Sequence, residues 1–424
     1  MENGRLQRAS HLYPYATGIL IKLTLLTALV VLTACGGGSS GGSENSQVQT
    51  TGVCESFDCR KMLENLADNV VTPMIDAFNA RVETLNVAVG AWQQSPQSPQ
   101  LQTEARQAWN DAMLTWQSLE LVQIGPLAEN DSLLRDSIYA WPSVSACVVD
   151  QEVIEAAEQG VSYDISTRTP LRKGLPALEY ILCAESLDHT CPSTTVKTTG
   201  WNSRSPEERL ALRLDYAKAA SAELVRLGTE LKTRWSTGPQ NFRNELVTAG
   251  AGSAAFSTAQ KAVNAVSDAM FYLEKEVKDI KLGEPLGLKG DKCQPGTQAC
   301  AVLVENPLSA RSKQHLRQNL LAFQQLFLGN SADGMQGLGF DDLIDSVSTG
   351  GNTSATMEAD ISEALNAVDA LGELSLQAAV ADENGYNLAK GIHESTKKIT
   401  DRLKNEFLTV MGLAIPAAAA GDGD

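Results

Sequence analysis

Two acidic side chains stand where acids are costly. In GLPALEYILC, residues 174–183, Leu175, Leu178, Ile181 and Leu182 recur at helical spacing, and Glu179 sits among them. Glu120 follows Trp109 by eleven residues, about three helical turns. It therefore lies on the stripe of Leu101, Ala105, Trp109, Ala112, Trp116 and Leu119. A carboxyl on a core-facing stripe must be protonated, paired or bound to a cation. One outcome is an ion pair or hydrogen-bond network with Arg135, Arg172 or Tyr139. The other is a cation or ligand site between packed helices, which helical bundles build from inward acids.

Other chemistry is sparse. His11 falls in the N-terminal signal segment, and His189 and His315 have no ligand partner near in sequence. His393 opens an HExxH-like stretch, but Lys397 stands where the second histidine belongs, so it reads as a solvated histidine. No phosphate loop, dinucleotide fingerprint or nucleophile elbow is present. A formal net charge of -17 excludes nucleic acid and anionic lipid as partners recognised through surface charge.

The elements that position the acids read as helices. Alanine and leucine dominate, aromatic residues are only 5%, and no stretch alternates like a strand. A helix over 57–93 is interrupted at Pro73. Ser98 and Pro99 open the tryptophan helix, which is expected to stop near Gly125-Pro126. Ser205, Pro206 and Glu208 form a capping-box start for a helix reaching Trp235. Further helices are expected at 241–280, 310–328, 356–379 and 386–412. The pattern predicts an all-α protein of two helical bundles.

Arg5, Arg8 and Lys22 precede an apolar run, 23–34, too short to span a membrane comfortably. It ends in LTAC before GGGSSGGS, which resembles a bacterial lipobox with Cys35 as the lipid-modified residue. Gly36, rather than an aspartate, favours the outer membrane. Export predicts disulfides. Cys54 with Cys59 and Cys293 with Cys300 are close in sequence. Cys191 pairs with Cys147 or with Cys183, leaving one thiol free.

Several segments together resemble the imelysin-like family, also called peptidase family M75 or iron-regulated protein A. They are AWNDAMLTWQSLELVQIGPL (108–127), SIYAWPSVSACVVDQEV (137–153), GLPALEYILC (174–183), DIKLGEPLGL (279–288), VENPLSARS (304–312) and the terminal GDGD (421–424). The resemblance implies two related bundles with a cleft between them, in an exported or surface-attached bacterial protein linked to iron or haem. The family's GxHxxE motif falls on Gly174 and Glu179, with Pro176 at the histidine position, and its acid after the tryptophan helix falls on Glu120. Loss of the histidine leaves an oxygen-only acidic pocket, suited to a hard metal cation such as iron better than to zinc catalysis.

The organisation expected is a signal peptide at 1–34, a tether at 35–55, a first bundle at 56–204 and a second at 205–424. The function expected is a lipid-anchored envelope binding protein, in iron or haem acquisition, facing the periplasm or the cell surface. It would hold an iron or haem ligand or an envelope protein partner, not nucleic acid. The alternatives are a metallopeptidase, weakened by Pro176, and a scaffold whose buried acids are purely structural.

Overall fold

A computed structural model describes residues 52–238, 241–290, 292, 299–348, 351–412 and 416. They belong to one compact unit and contain no strand. Cys35, the signal segment, most of the tether and the terminal GDGD lie outside the described residues. No helix among the described residues is long and apolar enough to cross a membrane.

The helices are α1 (Cys59–Asn65), α2 (Thr72–Gln94), α3 (Pro99–Leu119), α4 (Glu129–Ile138), α5 (Ala146–Gln159), α6 (Gly174–Cys183), α7 (Pro206–Ser236) and α8 (Phe242–Val247). They continue as α9 (Ala259–Met270), α10 (Ser312–Leu328), α11 (Phe340–Val347), α12 (Thr353–Asp369), α13 (Leu376–Ala381), α14 (Glu383–Arg402) and α15 (Leu408–Met411). Three π-helical stretches, Leu66–Val71, Leu273–Gly283 and Leu403–Phe407, interrupt them.

Local signals place several boundaries. Ser98 accepts from the Leu101 N–H and caps α3, and Ser205 accepts from the Glu208 N–H and caps α7. Glu208 does not complete a capping box; its carboxylate pairs with Arg204. Pro73 sits in the first turn of α2, where a missing N–H costs little, directly after the π turn Leu66–Val71. The helix expected over 241–280 is divided into α8, α9 and the π stretch Leu273–Gly283, because the Gly- and Ser-rich 248–258 turns the chain. Likewise 356–379 is divided at Gly372, whose φ of +54° favours glycine.

Helix α2 packs along α3 and α7, and α6 lies against α7 and α3. In the later part α12 packs on α14, and α14 on the stretch Leu273–Gly283. Helix α10 reaches back to α3. The apolar interior is continuous from Val53 to Met411. Disulfides join Cys54 to Cys59 and Cys147 to Cys191, with Cys183 free. Cys293, the expected partner of Cys300, lies outside the described residues.

Candidate functional site

Both acids are buried: Glu120 keeps 1% of its surface exposed and Glu179 keeps 5%. Glu120 ends α3, carried inward by the Trp109–Trp116 stripe, whose indoles are fully enclosed. Glu179 stands one turn into α6. That helix begins at Gly174 with φ +84°, and a Cβ there would meet the Ile138 carbonyl oxygen at 2.5 Å. Only glycine lets α6 start this close to the end of α4. Pro176 follows in the first turn, buried and without an N–H.

The partner of Glu120 is neither Arg135 nor Arg172. Arg135 pairs with Asp136 at 2.8 Å, and Arg172 with Glu152 at 2.7 Å. Glu120 Oε2 instead lies 2.5 Å from the ammonium of Lys281, on the π stretch Leu273–Gly283. Lys281 Nζ also lies 2.6 Å from Gln117 Oε1, 2.9 Å from Glu305 Oε1 and 3.1 Å from Asn319 Oδ1. Three N–H bonds thus face four oxygens from α3, α10 and the loop before α10.

Glu305 ties this cluster to Glu179. Its Oε1 accepts from the Tyr139 hydroxyl at 2.6 Å and its Oε2 lies 3.3 Å from His315 Nδ1. The same hydroxyl is 2.8 Å from Asn306 Oδ1, and Asn306 Nδ2 donates to Glu179 Oε2 at 3.0 Å. Asn306 reaches both ways from a left-handed backbone, φ +48°, which asparagine tolerates better than most residues. The Ser309 N–H completes the Glu179 shell at 2.8 Å. Glu120 and Glu179 therefore share one network without touching. Tyr139 belongs to it as expected, though through Glu305.

The electrostatics divide the roles. For Glu305, burial favours the neutral form, but the Lys281 charge and the His315 contact outweigh it and hold the carboxyl well below its usual range. Lys281 keeps its proton, because the charges of Glu120 and Glu305 overcome its desolvation. Burial pushes Glu120 up despite Lys281, with the neighbouring Glu305 charge adding to the rise. Burial also pushes Glu179 up, partly offset by Asn306 and Ser309.

A cavity of about 510 Å³ adjoins the Glu120 end of the network. Glu120, Arg135, Tyr139, Trp141, Tyr272 and Glu276 are among its walls. Glu120 Oε1 and Trp116 Nε1, one turn apart on α3, have no hydrogen-bond partner. The two expected ligands do not make a metal centre: among the described residues no three His, Cys, Asp or Glu side chains come together as one. Lys281 already supplies a cation to Glu120 and Glu305, and Pro176 offers no ligand atom. An iron or zinc ion does not fit this donor set. His315 is buried within the network, and His393 is buried rather than solvated.

Lys281, Glu305, Asn306, Gln117 and Asn319 were not singled out by sequence reasoning. The signal was present: Lys281 lies in DIKLGEPLGL and Glu305-Asn306 in VENPLSARS, two of the segments that carry the family resemblance.

An all-α fold whose distant segments meet in a buried acid–lysine–acid network defines the class of this protein as a helical one. The chain belongs to the imelysin family, whose profile matches residues 71–403. An iron-regulated protein A precursor from Parabacteroides distasonis ATCC 8503 superposes with a TM-score of 0.63 at 16% identity, over 83% of this chain and 94% of its own. An imelysin-like protein from Psychrobacter arcticum 273-4 does so with a TM-score of 0.63 at 16% identity, over 86% of this chain and 98% of its own. These likenesses show a shared fold. No curated protein matches the chain significantly.

Proposed function

We propose that this chain is an exported, lipid-anchored binding protein of the bacterial envelope, and that it serves iron acquisition without coordinating the metal on its own carboxylates. The observation that carries the reading is the cavity of about 510 Å³ ending on Glu120, a volume suited to a small ligand. Its floor is held by side chains from segments far apart in sequence, so its shape depends on how those segments are docked. The iron connection rests on family membership and on the iron-regulated protein A precursor of the same fold. Anchoring rests on the lipobox-like LTAC ending at Cys35, with the outer membrane favoured by Gly36.

The M75 metallopeptidase reading needs a metal-activated water. The donor set around Glu120 and Glu179 argues against it, and Lys281 favours a structural role for the acids themselves. Glu120 forms part of the cavity floor, and Glu179 supports it from behind through Asn306 and Tyr139.

Two experiments test the reading. Radiolabelled palmitate is expected to enter the wild type and not Cys35→Ser; equal labelling would remove the anchor. A peptide library incubated with the full chain, with and without chelator, is expected to remain uncleaved. Chelator-sensitive cleavage lost in Glu179→Gln would restore the peptidase reading.

A further inference from the structure

The buried cluster is unbalanced. Glu120 and Glu305 face a single ammonium, Lys281, and all three are almost wholly enclosed. An uncompensated charge at such depth is strongly disfavoured. His315 Nδ1 answers Glu305 Oε2 at 3.3 Å. Glu120 has no such second partner at Oε1, which makes no close hydrogen bond, although the Tyr272 phenol lies near the carboxyl.

Oε1 belongs to a residue that lines the cavity, and the other walls suit a cation as well. Glu276, on the stretch Leu273–Gly283, is a second acid at the same cavity, and no salt bridge joins it to another described residue. Tyr139, Trp141 and Tyr272 supply aromatic faces, which attract organic cations through their ring quadrupoles. The cavity's own cation, Arg135, is already engaged by Asp136 and by Gln123 Oε1 at 3.2 Å. Trp116 Nε1, unpartnered beside Glu120, offers a donor to an acceptor atom next to the cationic group. Two acids outside the Arg135–Asp136 pair, aromatic walls and, among the described residues, no three side chains gathered as metal ligands select an ammonium or amidinium over a bare metal ion.

We propose that the cavity between Glu120 and Glu276 binds a small organic cation, an ammonium or amidinium group carrying an adjacent hydrogen-bond acceptor, with its charge on Glu120 Oε1. This deepens the binding-protein reading and rests on it. Desolvation pushes the Glu276 carboxyl up to about 7, opposed by Lys275 and Arg135 and reinforced by Glu120, so the second acid ionises near neutrality. Asp136, Tyr139 and Tyr272 are the remaining titratable groups at the cavity. Cation binding therefore strengthens as pH rises from 6 to 8 and releases a proton.

The test uses the full chain in detergent, titrated with benzylammonium, benzamidinium, neutral benzyl alcohol, and calcium and ferrous salts. Indole fluorescence and calorimetric heat report binding. The two cations are expected to bind at least tenfold more tightly than benzyl alcohol, and Glu120→Gln to reduce that preference at least fivefold. Glu276→Gln leaves the Lys281–Glu305 pair untouched and is expected to abolish the strengthening between pH 6 and 8. It carries the test if Glu120→Gln fails to fold. Benzyl alcohol binding as tightly as the cations would overturn the charge assignment and leave a binding cavity standing. Saturable calcium or ferrous binding lost in Glu120→Gln would overturn the organic cation in favour of a metal. No saturable binding of any probe would overturn both the inference and the binding reading beneath it.

Discussion

Glu120 and Glu179 carry the same mark in the sequence, a lone acid on an apolar helical stripe, and the fold answers each in its own way. Glu120 meets the Lys281 ammonium at 2.5 Å within a shell of three further oxygens. Glu179 meets only neutral donors, the Asn306 amide at 3.0 Å and the Ser309 N–H at 2.8 Å, with no cation among the described residues. Burial pushes both carboxyls up, yet only Glu120 has a free oxygen beside a cavity. An inward acid is thus a sign of something buried with it. Whether that companion is an ion or a neutral dipole decides whether the acid can also serve a ligand.

Lys281→Met is the hardest blow to the contrast. It leaves Glu120 and Glu305 together without their shared cation, and breaking a buried pair in this way costs about 3–5 kcal/mol. Urea denaturation measures it. A loss below about 1 kcal/mol would show that the ammonium is no more essential than the neutral donors around Glu179.

Glu276→Gln tests the cavity side with the opposite sign. The Glu276 carboxyl is raised to about 7 from 4.5, so the folded state holds the proton more tightly than the unfolded chain does. Stability is therefore lost as pH climbs through that interval and stays lost above it. The variant removes this loss and is expected to gain up to about 2 kcal/mol at pH 8, discounted for partial exposure, and nothing at pH 4. Denaturation at both pH values checks it; an equal gain at pH 4 would point to packing instead of charge.

Glu179→Gln is the mildest change. A glutamine keeps one oxygen for its two neutral donors, so the expected cost is about 1 kcal/mol. A melting shift as large as that of Lys281→Met would mean Glu179 is ionised against an unseen countercharge, and the contrast would fail.

Much of the helical frame was legible because its signals are local. Ser98-Pro99 and Ser205-Pro206 place helix starts within a few residues. Helices α4 and α5, on either side of Tyr139, were not read. Part of the reason is that α4 begins with three residues at positive φ, Asn130, Asp131 and Ser132, which no periodicity announces. The division of 241–280 was missed for a related reason: a Gly- and Ser-rich turn hidden inside a long apolar-rich span looks like continued helix. Cys147–Cys191 was one of two open pairings, and the docking of α5 against the loop holding Cys191 chose between them.

By itself the sequence determined that Glu120 and Glu179 are buried, since a helical stripe fixes the direction in which a side chain points. It determined that Pro176 removes a ligand atom from the family motif, and that Gly174 begins the helix carrying Glu179. The tertiary structure alone decided what answers the acids. Lys281 comes from 161 residues beyond Glu120, on a π-helical stretch whose charged residues follow no simple surface pattern. Glu305 and Asn306 lie in a loop, where periodicity says nothing of burial. Pairing between distant segments depends on how helices dock, and docking leaves no mark on the residues nearby in the chain.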